Sequence, residues 1–201
     1  MYDDYDTSQA PDQHLKVNKT LIALGSNAKS VWGDATQTIQ KASLRVQEML
    51  GFECVSSPLY ATPAFPAGAG PDFVNAAIRV GTVLPPERIL AVLHEIEAEA
   101  GRERVVRWGQ RTLDLDLLAV GDQIAPDTAE LRRWMDLDLD TQAKEAPNQL
   151  VLPHPRLQDR SFVLVPMADV APDWVHPVLG LTVVQMRDAR PIDEIDSVRR
   201  L

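Results

Sequence analysis

From Thr112 the chain reads Thr-Leu-Asp-Leu-Asp-Leu-Leu-Ala-Val, and the alternation through Leu117 has the period of an extended strand. A strand sends alternate side chains to opposite faces, so Leu113, Leu115 and Leu117 form one face and Thr112, Asp114 and Asp116 the other. The leucines bury, and the aspartates point outward as a pair. Same-face residues lie about 7 Å apart along a strand, so two carboxylates repel unless solvent screens them or a cation sits between them. Hard oxygen ligands, few in number and leaving room for phosphate, favour Mg²⁺ over zinc or calcium. By itself Asp-x-Asp is more often a solvated strand face or an edge strand protected by charge. The preceding segment shifts that balance. Arg102, Arg104, Arg107 and Arg111 face only Glu103 over the same interval. Guanidinium forks match phosphate oxygens two at a time, the alternative being ion pairs with carboxylates elsewhere in the chain.

A chain of 201 residues holds one sizeable core and is too short for two ordinary catalytic domains. A net charge of -9 disfavours nucleic acid or an anionic membrane as partner, so the local cluster of arginines points to a small polyanion. Cys54 is the only cysteine, which excludes an internal disulfide and a multi-cysteine metal site. No run of ~18 apolar residues occurs, and the stretch 1–12 is acidic and polar where a signal peptide is basic and then apolar. A soluble, cytoplasmic protein is expected, acting as a monomer.

Residues 1–17 have little to bury and are expected as a disordered tail. A strand over 20–24 runs into the turn set Gly25-Ser26-Asn27, and Asp34 caps a helix that Gly51 ends. A strand over 52–60 follows, then a proline-rich loop over 62–71, a strand over 72–83, and a helix opened by Pro85-Pro86 with Gly101 at its end. After the strand over 112–120, residues 126–135 are weakly helical. Asp136, Asp138 and Asp140 repeat the Asp-Leu alternation but lack an arginine loop, so a solvated insertion over about 126–149 is expected. The core resumes at Leu150, and 162–167 fits a strand or a short helix. The loose alternation of strands and helices, with a hairpin-like pairing of 52–60 and 72–83, predicts an α+β domain with a mostly antiparallel sheet. No ordinary phosphate-binding loop motif is present, so a nucleotide must be held otherwise.

Five ordered segments carry a family resemblance: Leu24-Gly25-Ser26-Asn27, Tyr60-Ala61-Thr62-Pro63, Asp72-Phe73-Val74-Asn75-Ala76, Arg107-Trp108-Gly109-Gln110-Arg111-Thr112-Leu113-Asp114-Leu115-Asp116, and Pro153-His154-Pro155-Arg156 with Arg160 and Phe162. Together they resemble the 6-hydroxymethyl-7,8-dihydropterin pyrophosphokinases of folate biosynthesis, over about residues 18–125 and 150–185. The resemblance implies a single-domain, ferredoxin-like α/β sandwich whose central sheet is flanked by helices, spanning 18–185, with 186–201 as a C-terminal tail. It implies transfer of pyrophosphate from ATP to the pterin hydroxymethyl group, giving AMP. Two Mg²⁺ ions would sit on Asp114 and Asp116. Arg102, Trp108 and Arg111 match the family's working positions on a mobile catalytic loop, and Arg104, His154 and Arg160 its nucleotide contacts. Phe73 and Phe162 would stack on the pterin, with Asn75, Thr62, Pro63 and Glu97 as further substrate contacts. Read without the family, the two phenylalanines are ordinary core residues, and Glu97 with His94 is a solvated helix face.

Three features depart from the family pattern. Gln110 stands for a usual proline, Pro155 for a frequent aromatic, and 126–149 is longer than compact members need. Two rival readings keep the aspartates but change their use. One is a two-metal nucleotidyl transferase of palm or cyclase type; the other is a non-enzymatic ferredoxin-like ligand-binding module in which the Asp pair is structural.

Overall fold

The computed structural model describes residues 16–64, 70–102, 111–138, 141 and 145–201. Strand β1 (Asn18–Ser26) leads to helix α1 (Ala35–Leu50), strands β2 (Phe52–Ser56), β3 (Tyr60–Thr62) and β4 (Phe73–Thr82), helix α2 (Pro86–Glu99) and strand β5 (Asp114–Val120). Then follow α3 (Thr128–Met135), a 3-10 turn at Leu157–Asp159, α4 (Ser161–Val170), α5 (Val183–Asp188), α6 (Ile192–Ser197) and β6 (Arg199–Arg200). The sheet order is β5-β1-β4-β3-β6, with β2 also beside β4, and every strand pairing among the described residues is antiparallel. Because β4 runs against both β1 and β2/β3, the latter two point the same way with β4 between them. This is the split β-α-β arrangement of the ferredoxin-like fold.

Alternation divides each strand between two apolar layers. On one face Ile22, Leu24, Ile78, Val80, Leu115 and Leu117 pack with Ile39 and Val46 of α1 and Ile89, Leu93 and Ile96 of α2. On the other, Leu21, Ala77, Leu118 and Ala119 meet Leu164 and Met167 of α4 and Met186 of α5. The α/β sandwich expected from the sequence is therefore present, with helices on both faces. Helix α1 starts at a capping box between Asp34 and Gln37, and Gly51, at φ 122°, takes the left-handed conformation that ends it.

Three elements differ from expectation, and a fourth settles a choice left open. The strand expected over 52–60 breaks at residues 57–59, where Pro58 has no N–H to pair. Ser57 carries β4 past the gap, since its N–H donates to the Ala77 carbonyl (2.9 Å) and its Oγ accepts the Ala77 N–H (3.0 Å). The segment 162–167, open between strand and helix, lies in α4 in spite of Pro166. The insertion is anchored: α3, capped by the Asp127 side chain, buries Leu131 and Trp134 against Val151 in a small core of its own. Residues 186–201, expected as a tail, carry α6 and the edge strand β6, which pairs with β3 at Tyr60 and Ala61. The expected N-terminal tail lies outside the described residues as far as residue 15.

Candidate active site

Strand β5 borders the sheet, pairing with β1 on one side, and its other edge is closed by side chains and a loop. The Leu115 N–H donates to Glu97 Oε1 at 2.8 Å, and the Leu118 carbonyl accepts the His154 N–H at 2.8 Å. The first contact fastens the end of α2 to the strand; the second docks the 150–160 segment along it. Asp114 and Asp116 consequently receive cations from two directions. Arg102, just past α2, reaches Asp114 Oδ1 at 2.7 Å, and Arg111 pairs with Asp114 Oδ2. Arg160 reaches Asp116 Oδ2 at 3.3 Å. Glu97 is buried rather than solvated, 3% exposed, and pairs with Arg102.

Burial alone would raise the Asp116 pKa, but His154, Arg160, Arg111 and Arg102 outweigh it and hold the carboxyl below the usual range. Burial and Arg160 push His154 down to about 4, against the opposing pull of Asp116. His154 is therefore neutral at physiological pH. Its Nδ1 accepts the Arg156 N–H at 3.1 Å, which leaves Nε2 to carry the proton as a donor. These groups line a cleft of about 1170 Å³ whose other wall includes Leu90 of α2, Trp134 of α3, residues 145–149 of the insertion and the adjoining Leu150 and Val151.

The donor set fits Mg²⁺. Two carboxylates on one face of β5 offer hard oxygens, and among the described residues no cluster of three or more His, Cys, Asp or Glu forms a closed metal cage. A cation held there needs further oxygens from a ligand. The arginines on both aspartates already occupy the positions of positive charge.

Cross-strand register links the aspartates to a second group. Gly25 of β1 pairs with Asp114 on one side and Asn75 on the other. A Cβ at Gly25 would stand 3.1 Å from Asn75 Oδ1 and 4.0 Å from Phe73 Cδ1, so its absence leaves a flat floor beside both. Asn75 is buried and donates from Nδ2 to Thr62 Oγ1 at 2.7 Å, which leaves its Oδ1 facing that floor. Phe162, 42% exposed at the start of α4, lies under the Arg160 guanidinium at 5.8 Å. Pro63 is exposed next to Thr62.

The cleft thus gathers Glu97, Arg102, Arg111, Asp114, Asp116, His154 and Arg160, while Thr62, Phe73 and Asn75 form the neighbouring group. Arg104 and Trp108 lie outside the described residues. The competing Asp136 and Asp138 are exposed and do not line this cleft, with Asp138 accepting the Thr141 N–H at 2.9 Å, and Asp140 lies outside the described residues. Sequence reasoning gave no role to Asn27, whose Oδ1 accepts the Arg111 N–H (2.9 Å) and whose Nδ2 donates to the Pro71 carbonyl (3.2 Å). It also left Arg156 unassigned on the cleft wall. The Gly-Ser-Asn turn at a strand's end was the available signal for Asn27.

Residues 21–172 match the family model described as 7,8-dihydro-6-hydroxymethylpterin-pyrophosphokinase. The chain is 36% identical to the 2-amino-4-hydroxy-6-hydroxymethyldihydropteridine pyrophosphokinase of Pseudomonas aeruginosa, over 90% of this chain and 98% of that one. It is 34% identical to the Synechocystis protein of the same name, over 88% and 75% of the two chains. Among solved structures, Plasmodium falciparum HPPK-DHPS A437G superposes with a TM-score of 0.64 at 15% identity, covering 94% of this chain and 50% of that one, which shows the fold alone. The family model, the relatives along most of their length and the shared architecture agree: the chain belongs to the 7,8-dihydro-6-hydroxymethylpterin-pyrophosphokinase family.

Proposed function

We propose that this protein transfers the β,γ-pyrophosphoryl group of ATP to the hydroxymethyl oxygen of 6-hydroxymethyl-7,8-dihydropterin, giving AMP and the pterin diphosphate, in folate biosynthesis. The observation that carries this reading is the juxtaposition, on one sheet face, of the Asp114/Asp116 pair ringed by three arginines and the Gly25–Asn75 floor beside it. One part suits a polyphosphate and the other a flat heterocycle. The new bond joins the hydroxymethyl oxygen to the β-phosphorus, the hydroxyl proton is lost, and the bond from the β-phosphorus to the α,β-bridging oxygen breaks to release AMP.

Asp114 and Asp116 would hold Mg²⁺, two ions in all, which when bound would neutralise triphosphate charge and draw the hydroxyl toward the β-phosphorus. Arg102, Arg111 and Arg160 would bind phosphate oxygens and charge developing on the leaving group. Arg104 and Trp108 would act with Arg102 and Arg111 on a loop that closes over the substrates and excludes competing water. His154 offers Nε2–H to the nucleotide. Asn75 Oδ1 accepts from the pterin amide edge, Thr62 orients Asn75, and Phe73 and Phe162 stack on the ring. The catalytic unit, with 126–149 inserted beside the nucleotide, works as a cytoplasmic monomer on small molecules.

The deciding experiment incubates the protein with ATP, Mg²⁺ and the pterin and separates AMP from ADP. Pterin-dependent AMP release is expected. Release of ADP, or no nucleotide product, overturns the reading.

A further inference from the structure

Four arginines among the described residues line the cleft: Arg102, Arg111, Arg156 and Arg160. Three of them are engaged with Glu97, Asp114 or Asp116. Arg156 has no carboxylate within salt-bridge distance among the described residues, and its Nε is buried without a hydrogen-bond partner. Arg156 is half-buried, and an Nε–H withdrawn from water and left unpaired is costly unless an acceptor on a ligand completes it. Its backbone is fixed, because its N–H is held by His154 Nδ1 at 3.1 Å. Burial and then the nearby Arg160 lower the Arg156 pKa, with Asp159 opposing them.

We propose that Arg156 is a phosphate-binding residue of this cleft, available to a nucleotide before any metal arrives because neither aspartate engages it. The proposal rests on the nucleotide reading of the cleft. It assigns the four arginines two different duties. Arg102, Arg111 and Arg160 share their charge with Glu97, Asp114 or Asp116, whereas Arg156 has its charge uncommitted and can take a phosphate oxygen of ATP or of the product AMP.

The test is calorimetric titration of AMP in EDTA into the wild-type protein, Arg156→Gln and Arg156→Lys, with melting temperatures measured alongside. Arg156→Gln is expected to weaken AMP binding by roughly 10- to 100-fold, the loss of one charge-assisted contact, and Arg156→Lys to fall between. Adding Mg²⁺ with ATP should shrink the defect, since the longer polyphosphate would also meet the other three guanidinium groups. Pterin affinity should not change. Unaltered AMP affinity of Arg156→Gln in EDTA overturns the proposal, as does an equal loss of pterin affinity, which marks general damage to the fold. Arg156→Lys keeps the charge, so if Arg156→Gln does not fold, a Lys variant that binds AMP as the wild type does at matched melting temperature supports the proposal, and one that has lost all AMP binding overturns it. Failure of the wild type to release AMP from ATP in the presence of pterin refutes the proposed reaction and is read separately from these affinities.

Discussion

Asp116 shows how a site residue is held ready by its neighbours: burial opposes its charge, and the surrounding cations outweigh burial. Asp114 shares the strand face and two of those arginines. Asp114→Ala and Asp116→Ala should each lower pterin-dependent AMP release by roughly 10²- to 10³-fold, the scale of losing one electrostatic stabiliser of a transition state. Their melting temperatures should stay near that of the wild type. Turnover close to normal in either variant would remove both from the proposed metal site. Glu97 makes the opposite case. Its Oε1 accepts the Leu115 N–H and it pairs with Arg102, so Glu97→Ala strands a backbone donor and a cation at once. A loss of about 2–4 kcal/mol in urea unfolding is expected, with Glu97→Gln, which keeps the acceptor, losing less; equal effects of the two variants would contradict this. The aspartates were legible because a period of two is a local property of the chain. The burial of Glu97 was not, since the N–H it accepts is free only because β5 lies at the sheet edge, which no helix periodicity reports.

The turn after β1 is the element on which the site hangs. Asn27 exchanges backbone and side-chain hydrogen bonds with Arg111 and reaches Pro71, and Ser26 Oγ donates to the Thr112 carbonyl at 2.6 Å. One short turn thereby fixes the start of β5 and the end of the proline-rich loop. Asn27→Ala should cut kcat roughly tenfold, because a misplaced Arg111 costs more than the hydrogen bond that held it. Amide exchange at Arg111 should quicken in parallel, and unchanged turnover with faster exchange would show that Arg111 needs no such anchor. Elements with strong periodicity or caps, namely α1, α2 and β5, were readable within a few residues. The break at Pro58 was marked by the proline itself, yet whether pairing continues across it depends on Ser57 meeting Ala77. Strand β6 was beyond reach, since two exposed arginines carry no pattern and take their structure from the free edge of β3.

At the scale of the whole molecule, the segment after α4 is tied back to the sheet by Trp174, whose Nε1 donates to the Gly121 carbonyl at 2.8 Å. Its ring meets His176 edge to face at 5.7 Å between centroids. His176 is fully buried, and its Nδ1 accepts the N–H groups of Val178 (3.2 Å) and Leu179 (3.3 Å). A proton on Nδ1 would set donor against donor. Burial accordingly lowers its pKa to about 4 from 6.5. Since the folded value is depressed, the unfolded chain takes up the proton first as pH falls through 6.5, while the folded chain resists until about 4. The contribution to stability is therefore complete above pH 6.5 and declines between those values by up to about 1.4 kcal/mol per pH unit. His154, displaced in the same direction, adds to the decline. Urea midpoints at pH 7.5 and pH 5 should reveal it, and His176→Asn, which can keep an acceptor without a titrating proton, should flatten the difference without abolishing it. If the Asn variant shows the full wild-type dependence, the His176 turn does not sense acid, and the decline over this range must come from His154, a group that a bound nucleotide would shield.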